Sequence, residues 1–325
     1  MKLNKYKKIL FPIAILSIIL ITSSSLYAAE RTTITTEDFN DFVVEPGRNE
    51  VILDRGQHVT KYISITNRIN KTVNYVLSKE DLVGSDSPDT PVRLLGDEKG
   101  PYSIKDFIQP EVDSFSLKFG EKITIAVDIS VPEEAEPRGY YGALIISTTP
   151  GLNEDGTVTN EAKGGARIVS RIGSLFLVKV NGEGREESSL HDFKTIGPKR
   201  TIFTNPPEGF EVALKNTGTV HLVPYGTVTI KNMVGKTVDI LPINAYFSLP
   251  DSIRYIQTTW DKKFGFGRYT ADLSLYKGYG TENAQATIAF WILPWKIIII
   301  VVLSILILVL IFYYISTRFE FKRKQ

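Results

Sequence analysis

Three histidines, His58, His191 and His221, are the whole imidazole supply of this 325-residue chain, and each stands alone in the sequence. No two are spaced to place a pair of ligands on one helix or strand face, so each reads as a surface or strand residue. Cysteine is absent, which removes thiolate nucleophiles, thiolate metal sites and disulfides. The densest carboxylate cluster, Glu133-Glu134 with Glu136, lies in a loop beside Pro132 and Pro137. It reads as a solvated charge run rather than a general acid and base. Ser85-Asp86-Ser87-Pro88-Asp89 and Asn153-Glu154-Asp155-Gly156 carry calcium-type oxygen ligands, but neither has the full spacing of a calcium loop. There is no Gly-x-Ser-x-Gly elbow and no phosphate-cradling glycine loop. The expectation is a protein that is not an enzyme and takes no cofactor.

What remains is recognition chemistry. The segment from Gly84 to Pro110 is longer than ordinary connections and rich in proline and glycine, yet it holds Leu94, Leu95, Tyr102, Phe107 and Ile108. That is too apolar for a plain linker, so it is expected to pack over the first domain and shape a partner surface. Tyr140 and Tyr141 are consecutive, so on a strand they point to opposite faces. One is expected in the core and the other on a surface where a sugar could stack. The candidate ligand surface is therefore Leu94, Leu95, Tyr102, Phe107, Tyr140 and Tyr141.

The elements that must position these residues are strands. In Ile123-Thr124-Ile125-Ala126-Val127-Asp128-Ile129-Ser130-Val131 the odd positions face a core while Thr124, Asp128 and Ser130 face water. Similar runs are predicted at Phe39 to Val44, His58 to Thr66, Thr72 to Ser78, Tyr140 to Thr148 and Arg167 to Val180. After the glycine-rich, charged piece Asn181 to Glu187 the same grammar returns at Phe210 to Lys215, Gly226 to Lys231, Lys236 to Leu241, Arg268 to Tyr276 and Thr281 to Phe290. The predicted fold is all-β, with two tandem immunoglobulin-like sandwiches, over 30–182 and 183–290. The Gly182 to Gly184 link is expected to allow motion between them.

Both ends carry membrane signals. Ile297 to Ile315 is uncharged and is followed by Arg318, Lys322, Arg323 and Lys324. About 19 apolar residues at 1.5 Å rise cross a hydrocarbon core, with the basic side cytoplasmic. A single C-terminal transmembrane helix is predicted over 291–316, with a tail at 317–325. Trp291, Trp295, Lys296, Tyr313, Tyr314 and Arg318 are the membrane-interface residues. At the other end, Lys2, Lys5, Lys7 and Lys8 precede an apolar run from Ile9 to Ile21 and small residues at Ala28 and Ala29. That is the layout of a signal peptide over 1–29, cleaved after Ala28 or Ala29, with an uncleaved anchor as the alternative. Leu293-Pro294 resembles the start of a wall-sorting signal, but Trp295 and Lys296 follow where threonine and glycine would be cleaved. Residues between the two signals are thus expected outside the cell membrane. A formal net charge of +2, with no basic patch outside the termini, excludes nucleic acid.

The order of motifs in the first domain carries a resemblance. Phe42-Val43-Val44-Glu45-Pro46-Gly47 is followed by Ile63-Ser64-Ile65-Thr66-Asn67, Phe119-Gly120-Glu121, Val131-Pro132 and Pro137-Arg138-Gly139-Tyr140-Tyr141-Gly142. This resembles the peptidoglycan-binding domain of the WxL-interacting proteins, Gram-positive surface proteins with a signal peptide, two sandwich domains and a C-terminal transmembrane helix. Leu214-Lys215-Asn216-Thr217-Gly218 and Gly267-Arg268-Tyr269 are loosely similar to the same family's second, partner-binding domain. The resemblance implies peptidoglycan as ligand of the first domain and another cell-surface protein as partner of the second. The alternative is a structural or assembly subunit of a membrane complex that binds no glycan.

Overall fold

The computed structural model describes residues 29–149, 169–198, 200–281 and 283–318. Among the described residues the chain is all-β except for one C-terminal helix. Residues 1–28 of the expected signal peptide, the Asn153–Gly156 motif and the basic residues after Arg318 lie outside the described residues.

Strands β1 (Glu30–Thr33) to β11 (Arg171–Val180) form the first sandwich. One sheet has the order β1-β9-β4-β2, with β7 (Ile108–Pro110) also on β9 (Glu121–Ser130); β2 is Phe42–Glu45 and β4 is His58–Asn67. The other runs β3-β11-β10-β5-β6, from β3 (Arg48–Leu53) through β10 (Gly139–Thr148) and β5 (Val73–Gly84) to β6 (Val92–Leu94), with β8 (Ser114–Leu117) also on β5. The first edge strand changes sheets at Pro46-Gly47, so that β2 pairs antiparallel with β4 while β3 pairs parallel with β11. Proline suits that switch because it has no N–H to give to a continuing ladder. Period-two alternation fills the space between the sheets with Ile63 and Ile65 of β4, Ile123, Ile125, Val127 and Ile129 of β9, and Leu144 and Ile146 of β10. Each such buried side chain contributes about 2 kcal/mol.

Strands β12 (Ser188–Thr195) to β19 (Asn283–Ile292) build a second sandwich from a three-stranded sheet, β12-β14-β17, and a five-stranded one, β13-β19-β18-β15-β16. Here β13 is Ile202–Phe203, β14 Gly209–Asn216, β15 Tyr225–Asn232, β16 Thr237–Ile243, β17 Ser252–Thr259 and β18 Gly267–Tyr276. Trp260 sits at the middle of its core, about 6 Å from the rings of Phe210, Tyr269 and Phe290.

The two sandwiches share one device. Asn67 ends β4 and Asn216 ends β14, and both are fully buried. The Asn67 amide donates to the carbonyls of Lys71 and Leu117, and its oxygen accepts the Ile69 N–H. The Asn216 amide donates to the carbonyls of Val220 and Ser248, and its oxygen accepts the Gly218 N–H. Each asparagine thus pins the loop that carries the chain to the opposite sheet, an Asx-type turn with a second anchor across the sandwich.

Several strand bounds differ from expectation for local reasons. The run predicted from Phe39 begins at Phe42, because Asn40 takes a left-handed φ of 52°. β5 extends to Gly84 rather than Ser78, since Glu80, Asp81 and Leu82 are all buried and the alternation that marks a one-sided strand is lost. The helix α1 spans Trp295–Arg318, with every side chain exposed; by length and composition it can cross a membrane. Trp291 belongs to β19 rather than to the helical segment predicted from 291, because its N–H continues the ladder to the Thr201 carbonyl.

Candidate functional site

The first sandwich has two outward faces, and each presents a tyrosine. On the β10-β11-β5 sheet that residue is Tyr141, which is 1% exposed. Alternation does place Tyr140 and Tyr141 on opposite faces. Tyr140 enters the core, 4.4 Å from the Phe107 ring, while Tyr141 meets the second sandwich together with Leu82, Tyr102, Leu177 and Leu249. The His221 backbone N–H donates to the Tyr141 hydroxyl at 2.6 Å. The His221 ring lies between Tyr141 (Nδ1, 3.3 Å) and the Glu50 carboxylate (Nε2, 2.9 Å). A carboxylate only accepts, so Nε2–H donates to Glu50, which orients the ring against the Tyr141 hydroxyl. The hydrogen bond from His221 lowers the Glu50 pKa from its usual 4.5. Burial pushes the Tyr141 phenol well above the usual tyrosine range.

The Gly84 to Pro110 segment closes this junction from the side. Tyr102 donates to the Asp251 carboxylate at 2.8 Å, and burial, then that hydrogen bond, pushes its phenol up to about 12. Asp86 accepts the Ile253 N–H at 2.8 Å. The Asp81 carboxylate accepts the N–H groups of Gly100 and Ile104 and so fixes the loop to β5. The partner surface shaped by this segment is therefore the chain's own second domain. Four members of the expected ligand surface are corrected accordingly: Tyr102, Phe107, Tyr140 and Tyr141 are buried, in the core or between the domains. Leu94 is exposed, and Leu95 is half-buried where its N–H bonds the Asp81 carbonyl. Tyr102 and Tyr141 do border a cavity of about 220 Å³, shared with Leu249 and Asp251 of the second domain. The Gly182–Gly184 link lies against Pro137. Both faces of β10 are covered, one by the opposite sheet and one by the second domain, so facing direction alone did not predict exposure.

The β4-β9-β7 sheet has the opposite character. Its outer face carries Thr60, Tyr62 and Ser64 of β4 against Asp128, Ala126 and Thr124 of β9, in that register. Gln109 of β7 pairs with Asp128, and Glu111 follows with its N–H on the Ala126 carbonyl. Tyr62 is 51% exposed. Ala126, directly opposite, is too small to fill the space between it and Glu111. The result is a depression of about 580 Å³ lined by Thr60, Tyr62, Gln109, Pro110, Glu111, Ala126 and Asp128. The Thr60 hydroxyl donates to Asp128 at 2.6 Å, and the Ala126 N–H donates to Glu111 at 3.3 Å. Both carboxylates are thereby oriented, and each keeps lone pairs for an incoming hydroxyl or ammonium group. Sequence reasoning missed this site. Its signal was Tyr62 itself, a large aromatic at a wet position of an alternating strand, opposite an alanine.

The other candidates have structural jobs. His58 and His191 lie exposed at strand positions, Asp86 is spent on Ile253, and Glu133 packs against Gly56. Among the described residues no group of three or more His, Asp or Glu is placed to hold a metal ion.

Protein-family profiles and curated proteins give no match to the sequence. Among solved structures the chain is similar to the Pseudomonas aeruginosa CupB2 chaperone, with 11% identity over 77% of this chain and 100% of that one and a TM-score of 0.33. It is also similar to the E. coli chaperone DraB (9% identity, 76% and 97%, TM-score 0.34) and to a Salmonella enterica SafA pilin–SafB chaperone complex (12% identity, 79% and 100%, TM-score 0.34). At such identities the likeness extends to architecture alone.

Proposed function

We propose that this chain is a non-enzymatic binding protein of a bacterial cell envelope, held in the membrane by α1, whose first sandwich takes a glycan on the open face of β4, β9 and β7. The observation that carries this reading is the exposed Tyr62 ring beside Ala126, flanked by Gln109, Glu111 and Asp128. A sugar ring has an apolar face that packs on an aromatic and a rim of hydroxyls that needs oriented polar partners, and this depression offers both. The resemblance to the WxL-interacting proteins supplies the ligand, peptidoglycan. The same reading sets the two sandwiches outside the cell membrane, with a short cytoplasmic tail, an orientation favoured by the basic residues that follow the apolar helix in the sequence.

Sedimentation of the detergent-solubilised full chain with insoluble purified peptidoglycan tests this. Wild type is expected in the pellet and Tyr62→Ala largely in the supernatant; equal behaviour of the two would remove Tyr62 from the account, and no pelleting at all would remove the glycan. A second reading, an assembly subunit that recruits another surface protein, is favoured by β16, which ends its sheet with Ile240 exposed. Unpaired edge strands of this kind accept a strand from a partner. Recovery of a stoichiometric protein that is lost on Ile240→Lys would support it.

A further inference from the structure

The second sandwich ends in an apolar rim on the side from which α1 departs. Asn232 of β15 pairs with Tyr269 of β18, Tyr269 pairs with Phe290 of β19, and Gly267 pairs with Ile292. The β15–β16 hairpin tip, Met233-Val234, therefore projects toward the same end as Ile292, and Met233 lies against Gly267. The loop before β18 brings Phe264 and Phe266 there as well, with Gly265 against the Ile292 side chain. Val234 is 79% exposed, Met233 62%, Phe264 58% and Phe266 59%. Four large apolar side chains at two neighbouring loop tips are more than a soluble surface normally leaves in water.

Leu293 and Pro294 alone separate the end of β19 from the start of α1. Two residues reach at most about 7 Å, so this rim lies within a headgroup layer's depth of the point where the helix enters the bilayer. The same end carries the exposed cations Lys236, Lys263, Arg268 and Lys296, against the acids Glu208, Asp239 and Asp261, of which Asp239 accepts the Trp260 indole N–H. Aromatic and aliphatic tips ringed by lysine and arginine are the composition of an interfacial, anionic-lipid-binding surface.

We propose that the Met233-Val234 hairpin tip and the Phe264/Phe266 loop insert into the outer surface of the bilayer, so that the second domain stands on an anionic lipid surface rather than swinging from α1. This rests on the reading of α1 as a membrane span. It gives the first domain a fixed height above the membrane, because the buried junction joins it to the second.

The chain has no cysteine, so single labels are clean. The test uses the full chain carrying an environment-sensitive fluorophore at Val234→Cys, Thr281→Cys or Ser304→Cys. Each is reconstituted into phosphatidylcholine–phosphatidylglycerol vesicles with and without brominated lipid. Thr281 lies at the far hairpin of the second domain and Ser304 within α1. The Ser304 and Val234 labels are expected to be quenched and the Thr281 label not. Phe264→Ser with Phe266→Ser should reduce quenching at Val234 about fivefold, as should replacing the anionic lipid with a neutral one. Quenching at Ser304 with none at Val234 overturns the proposal and leaves the span intact. Absence of quenching at Ser304 overturns both.

Discussion

Tyr62 and Tyr141 occupy outward positions on the two sheets of one sandwich, yet the first is half in water and the second is sealed beneath another domain. The residue type is the same and the strand alternation is the same. What differs is what lies beyond the sheet. Around Tyr141 the neighbours are Leu82, Leu177 and Leu249, and its hydroxyl is taken by His221. Around Tyr62 they are Thr60, Asp128, Gln109 and a small Ala126, and among the described residues no other domain covers them. The aromatic set among leucines lies in an interface the protein closes itself, whereas the one set among polar residues beside a small alanine stays open to solvent.

This contrast predicts opposite mutational signatures. Tyr141→Ala should cost about 3 to 5 kcal/mol of stability, since it empties a fully packed site, and denaturant melts of the detergent-solubilised chain measure it. Tyr62→Ala should change stability by no more than about 0.5 kcal/mol in the same melts. Similar losses at both positions would erase the distinction. Next in size, Asn67→Ala and Asn216→Ala should each cost about 2 to 3 kcal/mol, because each strands two buried carbonyls and an N–H. If the two sandwiches unfold as separate transitions, each substitution should lower only its own. On the open face, Tyr62→Ala should weaken peptidoglycan binding about fivefold to tenfold, roughly 1 to 1.4 kcal/mol, while Tyr62→Phe keeps most of it because the stacking face remains.

The smallest effect concerns pH at the closed face. Hydrogen bonding from His221 lowers the folded pKa of Glu50, so its contribution to the junction is fully present above the usual value of 4.5 and is lost as the pH falls below it. The melting temperature of wild type should therefore drop more steeply through that range than that of Glu50→Gln. Parallel curves would mean that the Glu50–His221 pair adds nothing to the junction.

Much of the architecture was legible because one-sided strands leave a period-two trace, as Ile123 to Val131 does. The trace fails where a polar residue faces inward or where both faces are buried. Asn49 occupies an inward position of β3 and bonds the Ser174 hydroxyl at 3.0 Å, so the strand does not read as apolar alternation. β10 is buried on both sides, and nothing within Gly139–Thr148 reveals that its second cover is Leu249 of another domain. The link from Tyr102 to Asp251 spans 149 positions, and that from Glu50 to His221 spans 171. No local pattern encodes such pairings. The open site did leave a local trace, since Tyr62, Ala126 and Asp128 all stand at wet positions of predicted strands, but a lone exposed tyrosine does not by itself mark a site.

The most direct measurement is hydrogen exchange by mass spectrometry on the full chain in nanodiscs, with and without soluble disaccharide–peptide fragments of peptidoglycan. Slower exchange at Thr60–Ser64, Gln109–Glu111 and Thr124–Asp128, with none gained at Tyr140–Leu144, is the predicted result. Protection confined to the domain junction or to the second sandwich, or no protection anywhere, would contradict it.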